Sequence, residues 1–458
     1  MKKLFAFLLI FVPLPTLSAG DSADLLVSGG RIVTMDASRR ILEDGAIAVR
    51  GESIVDIGPS AEIRKRYKAK RLVPAKGKIV LPGLVNTHNH APMVLFRGIA
   101  DDLSLAEWLE KHILPAEAKN VTAEFVEWGT RLACLEMIRS GTTTYADMYY
   151  FEDQVAEATA RAGMRAVLGE TILQFAAPDN KTPQEGLNYT EEFIKRWRSH
   201  PLIVPAVAPH APYTNSAETL IACKLLADKY GVPMMIHVSE TQDETKQIRE
   251  RYGKTPAQWL ESLGVLGPRV LFHHGVWLSE EDLAIVRQHG VSVSHNPESN
   301  MKLASGIAPV RRMLALGIEV GLGTDGAASN NNLDMFETMD FAAKLHKLAN
   351  MDPTVLPAPQ VLEMATLSGA RALGMGGDIG SLEKGKKADF ILVETGSAHL
   401  QPLYNVYSRL VYDVKGPDVK TSVINGKIVM LDGKVLTLDE NAILRKAREY
   451  QKRIVVSD

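Results

Sequence analysis

From Lys78 onward the chain alternates short β-rich runs with longer amphipathic ones, and this alternation constrains the fold more than any other feature. One amphipathic run, residues 122–140, places its apolar residues on one face and is followed by Gly141, which predicts a helix. Eight strands that alternate with helices predict an α/β fold, a (β/α)8 TIM-type barrel over residues 78–386. An open, doubly wound sheet is the other architecture with this alternation. The predicted strands span residues 78–88, 142–148, 165–170, 202–210, 234–237, 269–274, 291–295 and 319–325.

The two ends of the chain predict a second, smaller domain. Residues 21–77 and 387–458 contain short alternating apolar segments separated by turn dipeptides such as Asn425-Gly426. We therefore expect a small composite β-sandwich built from both termini and completed by a C-terminal helix. The barrel would be inserted between the two halves of this sandwich.

Residues 1–20 have the pattern of a secretory signal peptide: two lysines, a short apolar stretch and then small residues. The apolar stretch is too short to span a membrane as a permanent helix. We therefore expect an exported protein, periplasmic or secreted, without a stable membrane span after cleavage. Such a compartment permits a disulfide between Cys134 and Cys223, but both lie in apolar, helix-like surroundings, which favours two buried thiols.

The charge of the chain indicates what kind of ligand it binds. The 52 basic and 54 acidic residues give a net charge of -2, so no overall positive field favours nucleic acid or an anionic membrane. A small neutral or zwitterionic substrate fits this balance better than a polyanion. A homo-oligomer is compatible with the sequence.

Side chains that suit a metal ion stand at the ends of the predicted strands. His88 and His90 are one residue apart at the end of the first strand, so in an extended chain both point to the same side. His237 ends the fifth strand and Asp325 the eighth. Because the carboxyl ends of barrel strands share one mouth, these side chains predict a single divalent metal ion, with zinc suited and Fe(II) or another ion also compatible. The fourth strand contains no lysine that could bridge a second ion.

Side chains beside these ligands could move protons. Glu240 follows His237 by three residues, so on a regular strand it would face away, whereas a turn just past the strand end would bring it over the metal. We predict that Glu240 is a proton shuttle and that Asp325 both binds the metal and accepts a hydrogen bond from a water molecule. His273 and His274 point to opposite sides of an extended strand, so one of them would serve the site.

At these residues the chain resembles the amidohydrolase superfamily, and within it the methylthioadenosine/S-adenosylhomocysteine deaminase group, which is related to the triazine hydrolases. The resemblance implies one zinc ion bound by His88, His90, His237 and Asp325. It covers nearly the whole chain after the signal peptide. The matching stretches are PGLVNTHNHAPMVLFRGIADDLSLAEWL (82–109), ILPAEAK (113–119), APHAPYT (208–214), IHVSET (236–241), FHHGVWL (272–278), SHNPESNMKLASGIAPV (294–310), GLGTDGAASNNNLDMFETM (321–339) and IGSLEKGKKADFILVE (379–394).

The resemblance also implies roles that the residue pattern leaves open. It implies that Glu240 contacts the purine and moves protons, and that His274 is the histidine of strand six that serves the site. It implies that Glu117 binds the ribose hydroxyls and that His210 contacts the substrate. Without the resemblance, Glu117 would be interpreted as a solvated charge at the end of a helix.

The implied reaction is hydrolytic deamination of an adenosine-type nucleoside: 5'-methylthioadenosine, adenosine or S-adenosylhomocysteine. The chain departs from the group at Glu170, where an arginine could hold a substrate carboxylate, and no arginine follows until Arg196. This departure weakens the expectation for S-adenosylhomocysteine. Alternative ring substrates for the same site are an s-triazine, guanine or a pterin. A non-catalytic binding protein is disfavoured because all four ligands and Glu240 are present.

Overall fold

The structure is a computed structural model that describes residues 21–454. The signal peptide predicted at residues 1–20 lies outside these residues. None of the helices within residues 21–454 combines the length and the apolar character needed to cross a membrane. Cys134 and Cys223 are both buried free thiols, as the sequence predicted.

The predicted barrel is present. Within the described residues, eight strands pair side by side in chain order, and all of the pairs are parallel. The first and last of them meet through hydrogen bonds at the metal-ligand end: the amide of Asp325 donates to the carbonyl of His88 at 3.0 Å. The amide of Thr324 donates to the side-chain oxygen of Asn86, also at 3.0 Å. The ring of strands is therefore nearly closed.

A second sheet is formed by both ends of the chain, as predicted. Its N-terminal strands are β1 (Asp21–Val33), β2 (Ile41–Arg50), β3 (Ser53–Pro59), β4 (Tyr67–Pro74) and β5 (Lys78–Pro82). The barrel strands follow as β6 (Leu84–Asn89), β7 (Thr142–Tyr149), β8 (Arg165–Ile172), β9 (Ile203–Pro209), β10 (Met234–Val238), β11 (Val270–His274), β12 (Ser292–His295) and β13 (Val320–Leu322). The C-terminal strands of the second sheet are β14 (Phe390–Glu394), β15 (Val419–Ile424), β16 (Lys427–Leu431) and β17 (Lys434–Val435).

The strands of the second sheet are joined by one continuous series of hydrogen-bonded pairs. In the described part of the chain its hydrogen-bonded order is β17-β16-β15-β14-β5-β1-β2-β3, and β4 pairs with β1. Strand β5, from the N-terminal part, pairs antiparallel with β14, from the C-terminal part. One apolar cluster joins the two parts and includes Leu25, Ile47, Val80, Phe390 and Val423. Neither end of the chain could bury this cluster without the other.

The structure divides the single strand predicted at residues 78–88. Residues Lys78–Pro82 form β5 of the composite sheet, and Leu84–Asn89 form β6 of the barrel. Gly83 separates them and packs so closely that a Cβ atom there would lie 2.0 Å from Oγ1 of Thr143. Both strands are almost entirely buried, so the sequence shows one uninterrupted apolar run and gives no sign of the change of sheet. The barrel therefore begins at residue 84 and not at residue 78.

The helices connect and cover the strands. The helix predicted at residues 122–140 is Ala123–Arg139, with Thr122 as its N-cap and Gly141 in a left-handed conformation (φ 87°) after its end. Short 3₁₀ turns lie at Ala91–Phe96, Pro212–Thr214, Ala398–Leu400 and Gly416–Asp418, and π-helical segments at Trp108–Ile113 and Arg409–Asp413. The α-helices are α1 (Ser60–Arg66), α2 (Leu105–Glu107), α3 (Leu114–Asn120), α4 (Ala123–Arg139), α5 (Glu152–Ala162), α6 (Pro183–Trp197), α7 (Ala217–Tyr230), α8 (Gln242–Tyr252), α9 (Pro256–Ser262), α10 (Glu280–His289), α11 (Pro297–Lys302), α12 (Val310–Ala315), α13 (Ala327–Asn330), α14 (Met335–Ala349), α15 (Ala358–Met364), α16 (Leu367–Ala372), α17 (Val406–Ser408) and α18 (Glu440–Arg453).

Candidate active site

The carboxyl ends of the barrel strands carry an unusual backbone. Phe151, Ser239, His274 and Asp325 have left-handed conformations, with φ values of 55°, 54°, 70° and 66°. Such values cost roughly 1–3 kcal/mol for residues with a side chain, and they concentrate where a site needs a particular side-chain direction. Each of these residues ends or follows a barrel strand, namely β7, β10, β11 and β13. The strained backbone therefore surrounds one mouth of the barrel.

The predicted metal ligands converge at this mouth. The Nε2 atoms of His88 and His90 lie 3.3 and 3.4 Å from Oδ1 of Asp325. One ligand atom from each of His88, His90 and Asp325 lies within 4.8 Å of the others, and the same holds for His88, His237 and His274. The four side chains predicted to bind a metal are thus brought together, with His274 beside them.

The imidazoles are oriented and uncharged, as metal binding requires. The Nδ1 atom of His90 lies 2.6 Å from the carbonyl of Met148, and that of His237 lies 2.8 Å from the carbonyl of His210. Because a carbonyl only accepts, Nδ1 carries the hydrogen and Nε2 presents a lone pair. Nε2 of His88 is buried and has no hydrogen-bond partner within residues 21–454. Burial lowers the pKa of all three imidazoles, so they are neutral ligands. This set of nitrogen and oxygen donors fits a divalent cation.

A cavity of about 310 Å³ opens above these ligands. The segment from α2 through the π-helical turn to α3 forms one of its walls, with Trp108 and Glu117 among the lining residues. Within the part of the chain that the structure describes, its lining includes no lysine or arginine, whereas Glu110, Glu117 and Glu240 are acidic. The cavity therefore favours neutral or cationic groups over carboxylates.

Glu240 lies over the metal ligands, where the proton-shuttle prediction needs it. The left-handed Ser239 turns the chain after His237, and the Oε2 atom of Glu240 lies 3.8 Å from Nε2 of His274. Burial raises the pKa of Glu240 well above its ordinary value, and the nearby charge of Asp325 raises it further. A carboxyl group in these surroundings holds a proton that it can donate.

The structure distinguishes the two histidines of strand β11. His274 lines the cavity, and its Nε2 lies 3.8 Å from Oδ2 of Asp325. Its Nδ1 lies 2.8 Å from Oδ1 of Asn300. His273 stacks on His88 instead, with ring centroids 3.8 Å apart, and both of its ring nitrogens are buried without a hydrogen-bond partner among residues 21–454. His274 is therefore the histidine of this strand that faces the cavity.

Glu117 also lines the cavity. It is a buried residue of α3, and the hydroxyl of Tyr150 donates a hydrogen bond to its Oε2 at 3.4 Å. Burial raises the pKa of Glu117 to about 7, against the opposing effect of hydrogen bonds from Tyr149 and Tyr150. Residue spacing gave no sign of this position, because Glu117 lies on a helix far from any strand end. The two tyrosines were missed as well, although they end strand β7.

His210 lines the same cavity, next to His237. Its Nδ1 lies 3.0 Å from the hydroxyl of Thr214, and its ring centroid is 4.8 Å from that of His237. Burial lowers the pKa of His210 to about 3, so the ring is neutral. A neutral imidazole held in this way can exchange one hydrogen bond with a polar ring substrate.

Glu170 does not take the place of a carboxylate-binding arginine. Its side chain is fully buried outside the cavity lining, and its Oε1 accepts a hydrogen bond from Nδ2 of Asn180 at 3.0 Å. Its Oε2 accepts from the amide of Glu152 at 3.2 Å. Glu170 therefore fixes the loops after β7 and β8. An arginine at this position would lose these two internal hydrogen bonds.

Comparison with known proteins agrees with the fold. The amidohydrolase family matches residues 79–429, and a bacterial imidazolonepropionase-like composite domain matches residues 45–67. The chain is 50% identical over 434 residues to 5-methylthioadenosine/S-adenosylhomocysteine deaminase 1 of Syntrophus aciditrophicus, a match that covers 95% of this chain and 98% of that protein. It is 47% identical to 5'-deoxyadenosine deaminase of Methanosarcina mazei, over 94% of this chain and 99% of that one.

Solved structures give the same assignment. A zinc-bound adenosine deaminase from Xanthomonas campestris has a TM-score of 0.93 and 39% identity, and the match covers 95% of this chain and 99% of that one. Atrazine chlorohydrolase from Arthrobacter aurescens, a triazine hydrolase complexed with zinc, has a TM-score of 0.87 and 25% identity, over 93% and 99% of the two chains. The family match, these likenesses and the converging histidines and aspartate agree: the chain belongs to the amidohydrolase family.

Proposed function

We propose that this protein is a zinc-dependent aminohydrolase that deaminates adenosine-type nucleosides. One observation carries the proposal: the metal-ligand cluster, the acidic Glu240 and the buried Glu117 meet in one cavity. The relatives named as deaminases of methylthioadenosine and 5'-deoxyadenosine, at 50% and 47% identity, support the same reaction. The zinc in the adenosine deaminase of similar fold supports the metal.

The side chains around the metal ligands divide the proton transfers between them. A bound zinc would act as a Lewis acid and lower the pKa of a water molecule. Because Nδ1 of His274 donates to Oδ1 of Asn300, its Nε2 can accept a hydrogen bond and would orient that water. Asp325 accepts a proton as the water oxygen bonds to the amine-bearing ring carbon. Glu240 protonates the adjacent ring nitrogen. As the exocyclic C–N bond breaks, the amine takes the proton held by Asp325 and leaves as ammonia, and the proton of the new hydroxyl group passes to Glu240 as that group becomes the ring carbonyl.

We expect small, neutral 5'-substituents to be preferred. Among the described residues, the cavity lining offers no basic side chain for a substrate carboxylate, and Glu110 and Glu117 would repel one. This favours 5'-methylthioadenosine, 5'-deoxyadenosine and adenosine over S-adenosylhomocysteine. The relative from Syntrophus aciditrophicus is named for both methylthioadenosine and S-adenosylhomocysteine. Its name favours the opposite expectation, that both are substrates.

Ammonia release and ultraviolet spectra test the proposal directly. Zinc-loaded protein would be given the three favoured nucleosides, S-adenosylhomocysteine, guanine, a pterin and an s-triazine. We expect the spectral change from adenine to hypoxanthine with the favoured nucleosides and a lower kcat/KM for S-adenosylhomocysteine. Turnover of another ring without any adenosine derivative would contradict the nucleoside assignment. Equal kcat/KM for S-adenosylhomocysteine and methylthioadenosine would contradict the argument from the missing basic side chain.

The role of Glu240 has its own check. Glu240→Gln removes the proton but keeps the size of the side chain, so kcat should fall by about 100-fold or more while zinc content is unchanged. Metal analysis and steady-state kinetics measure both quantities. Near-normal kcat in this variant would refute the proton-shuttle role.

We also propose, from the pattern of residues 1–20, that the protein is exported and acts on nucleosides outside the cytoplasm. Fractionation of cells that produce the full chain should place the protein, shortened at its N-terminus, in the periplasm or the medium. A full-length protein confined to the cytoplasm would contradict this proposal.

A further inference from the structure

The placement of Glu240 depends on a turn that the strand itself cannot provide. Side chains three residues apart on an extended strand point to opposite faces, so a straight β10 would direct Glu240 away from His237. The chain instead turns at Ser239, whose φ of 54° is left-handed. A serine in this conformation is strained, because its Cβ atom lies close to the following carbonyl oxygen. Other contacts must therefore hold the turn.

A single buried carboxylate, that of Glu244, holds both amides of the turn. Its Oε1 accepts a hydrogen bond from the amide of Ser239 at 2.9 Å, and its Oε2 accepts from the amide of Glu240 at 2.8 Å. Glu244 lies in the first turn of α8, where its own amide donates to the hydroxyl of the N-cap Thr241 at 3.2 Å. The turn is therefore fastened to the helix that follows it.

The opposite side of the turn is fastened to the loop after strand β11. The carbonyl of Val238 accepts a hydrogen bond from the amide of Gly275 at 3.1 Å. The carbonyl of Ser239 accepts one from the amide of Trp277 at 2.8 Å. With Glu244 on one side and this loop on the other, the backbone around Ser239 has one conformation, which directs the side chain of Glu240 into the cavity.

Burial of the Glu244 carboxyl group costs free energy, and capping of the helix does not require it. Its side chain is 3% exposed, and within residues 21–454 no lysine, arginine or histidine nitrogen lies within 4.0 Å of it. An N-cap such as Thr241 satisfies a helix end without a buried carboxylate. Glu244 is not among the residues that line the active-site cavity; it lines a neighbouring pocket that shares Glu110 and Tyr213 with that cavity. The Glu244 carboxyl group accepts one hydrogen bond from the amide of Glu240, the proposed proton donor. It accepts the other from the amide of Ser239, where the chain turns.

We propose that Glu244 is a positioning residue that aims Glu240 at the reacting ring by holding both amides of the Ser239 turn. The proposal rests on the proton-shuttle role proposed for Glu240. It predicts that loss of Glu244 lowers the rate of the chemical step and not the affinity for the substrate or the metal.

Glu244→Gln tests the proposal. The amide side chain keeps one acceptor but places a donor against the second backbone amide, so the turn loses one of its two contacts and Glu240 is misdirected. We expect kcat to fall by on the order of 100-fold, as for other small misplacements of a reacting group, with KM and zinc content close to those of the wild type. Glu250→Gln, an exposed change on the same helix, is the matched control and should leave kcat unchanged. A normal kcat in E244Q, or a loss confined to KM or zinc content, would overturn the proposal.

A double-mutant comparison separates positioning from general support of the fold. If Glu244 acts through Glu240, the variant E240Q/E244Q should be no slower than E240Q alone. Multiplied losses would overturn the proposal. Ser239→Gly supplies a second readout, because glycine adopts a left-handed φ without strain. The pair S239G/E244Q should recover part of the kcat lost in E244Q and should remain testable if E244Q folds poorly. Absence of any recovery would also overturn it.

The position of the Glu240 side chain can be measured without any substrate. In the wild type, Oε2 of Glu240 lies 3.8 Å from Nε2 of His274. A crystal structure of E244Q should show this distance increased while the positions of His237 and Asp325 are kept. An unmoved Glu240 would overturn the positioning role even if no nucleoside were a substrate. Inactivity of the wild type on every nucleoside would instead overturn the proposed function.

Discussion

At the scale of single residues, the two carboxyl groups over the metal ligands have opposite proton affinities. Burial raises the pKa of Glu240 well above its ordinary value. Burial acts the same way on Asp325, but His274 and His90 outweigh it and lower the pKa of that carboxyl. Carboxyl groups whose pKa values are moved apart in this way can serve as an acid and a base at the same pH. In the reaction proposed above, Glu240 would therefore be the proton donor and Asp325 the proton acceptor.

The pKa of Glu117 gives a pH-dependent prediction. Burial raises this pKa to about 7, so the carboxylate that can accept from both ribose hydroxyls is present above that value and lost as pH falls through it. The KM for adenosine should therefore rise as pH falls below about 7. Glu117→Gln should raise KM about tenfold or more, because hydrogen bonds to a charged group are worth roughly 1.5–3 kcal/mol, and should remove this pH dependence.

Steady-state kinetics across the pH range measure both effects on KM. A substrate without ribose hydroxyls, 2',3'-dideoxyadenosine, provides the control, because its KM should be the same for the wild type and E117Q. An equal loss with both substrates would show that Glu117 supports the fold of the cavity and does not bind the ribose.

At the scale of elements, helix α4 determines where the segment after His90 lies. A Cβ atom on Gly129 of this helix would lie 2.5 Å from the carbonyl oxygen of Pro92, so the helix and the 3₁₀ turn are in backbone contact. Behind the turn, the ring of Phe125 lies 4.8 Å from Phe96 and 5.4 Å from Tyr450 of α18. The C-terminal helix therefore supports the element that follows the first two ligands.

Gly129→Ala should disturb the metal site from a distance. The added methyl group must push α4 and the 3₁₀ turn apart, and such overpacking typically costs about 1–3 kcal/mol. We expect a lower melting temperature and a weaker affinity for zinc, measured by calorimetry and by competition with a chelator. Gly377→Ala is the control, since nothing lies within 4 Å of the Cβ atom it would add. Unchanged zinc affinity in G129A would show that this contact supports only the fold.

The sequence predicted the elements that repeat, but the residue pattern alone missed the change of sheet at Gly83 and the position of Glu117. Strand alternation identified the barrel, and the residues at strand ends identified His88, His90, His237 and Asp325. The change of sheet at Gly83 was missed because both strands beside it are buried and apolar. Glu117 came from family resemblance, since its position is set by how residues 105–120 fold over the cavity. The alternation of side chains along a strand does not predict the backbone conformation of a turn such as that at Ser239.

At the scale of the whole molecule, a buried ion pair joins the barrel to the composite sheet. Nε of Arg165, at the start of β8, lies 2.7 Å from Oδ2 of Asp389, and the two side chains are 3% and 2% exposed. Oδ1 of Asp389 also accepts a hydrogen bond from the amide of Asn425 at 2.6 Å. The pair therefore connects a barrel strand to the hairpin between β15 and β16.

Asp389→Ala should strongly destabilise the protein. It leaves the guanidinium of Arg165 buried without its partner, and breaking a buried pair in this way costs about 3–5 kcal/mol. The midpoint of urea unfolding measures the effect. Glu280→Ala, which breaks an exposed pair with Arg312 (51% and 63% exposed side chains), should change the midpoint little. Similar small shifts in both variants would show that the two domains are held together mainly by apolar contacts.

The pairing of β5 with β14 also has a consequence for how the protein is made. Strand β5 leaves the ribosome early, but its partner begins at Phe390, so residues 83–389 must be translated first. At roughly 5–20 residues per second, the nascent chain waits tens of seconds with an unpaired sheet edge. Such an edge can pair with other chains. A chaperone that covers β5 during this interval would protect the chain until translation supplies the missing strand.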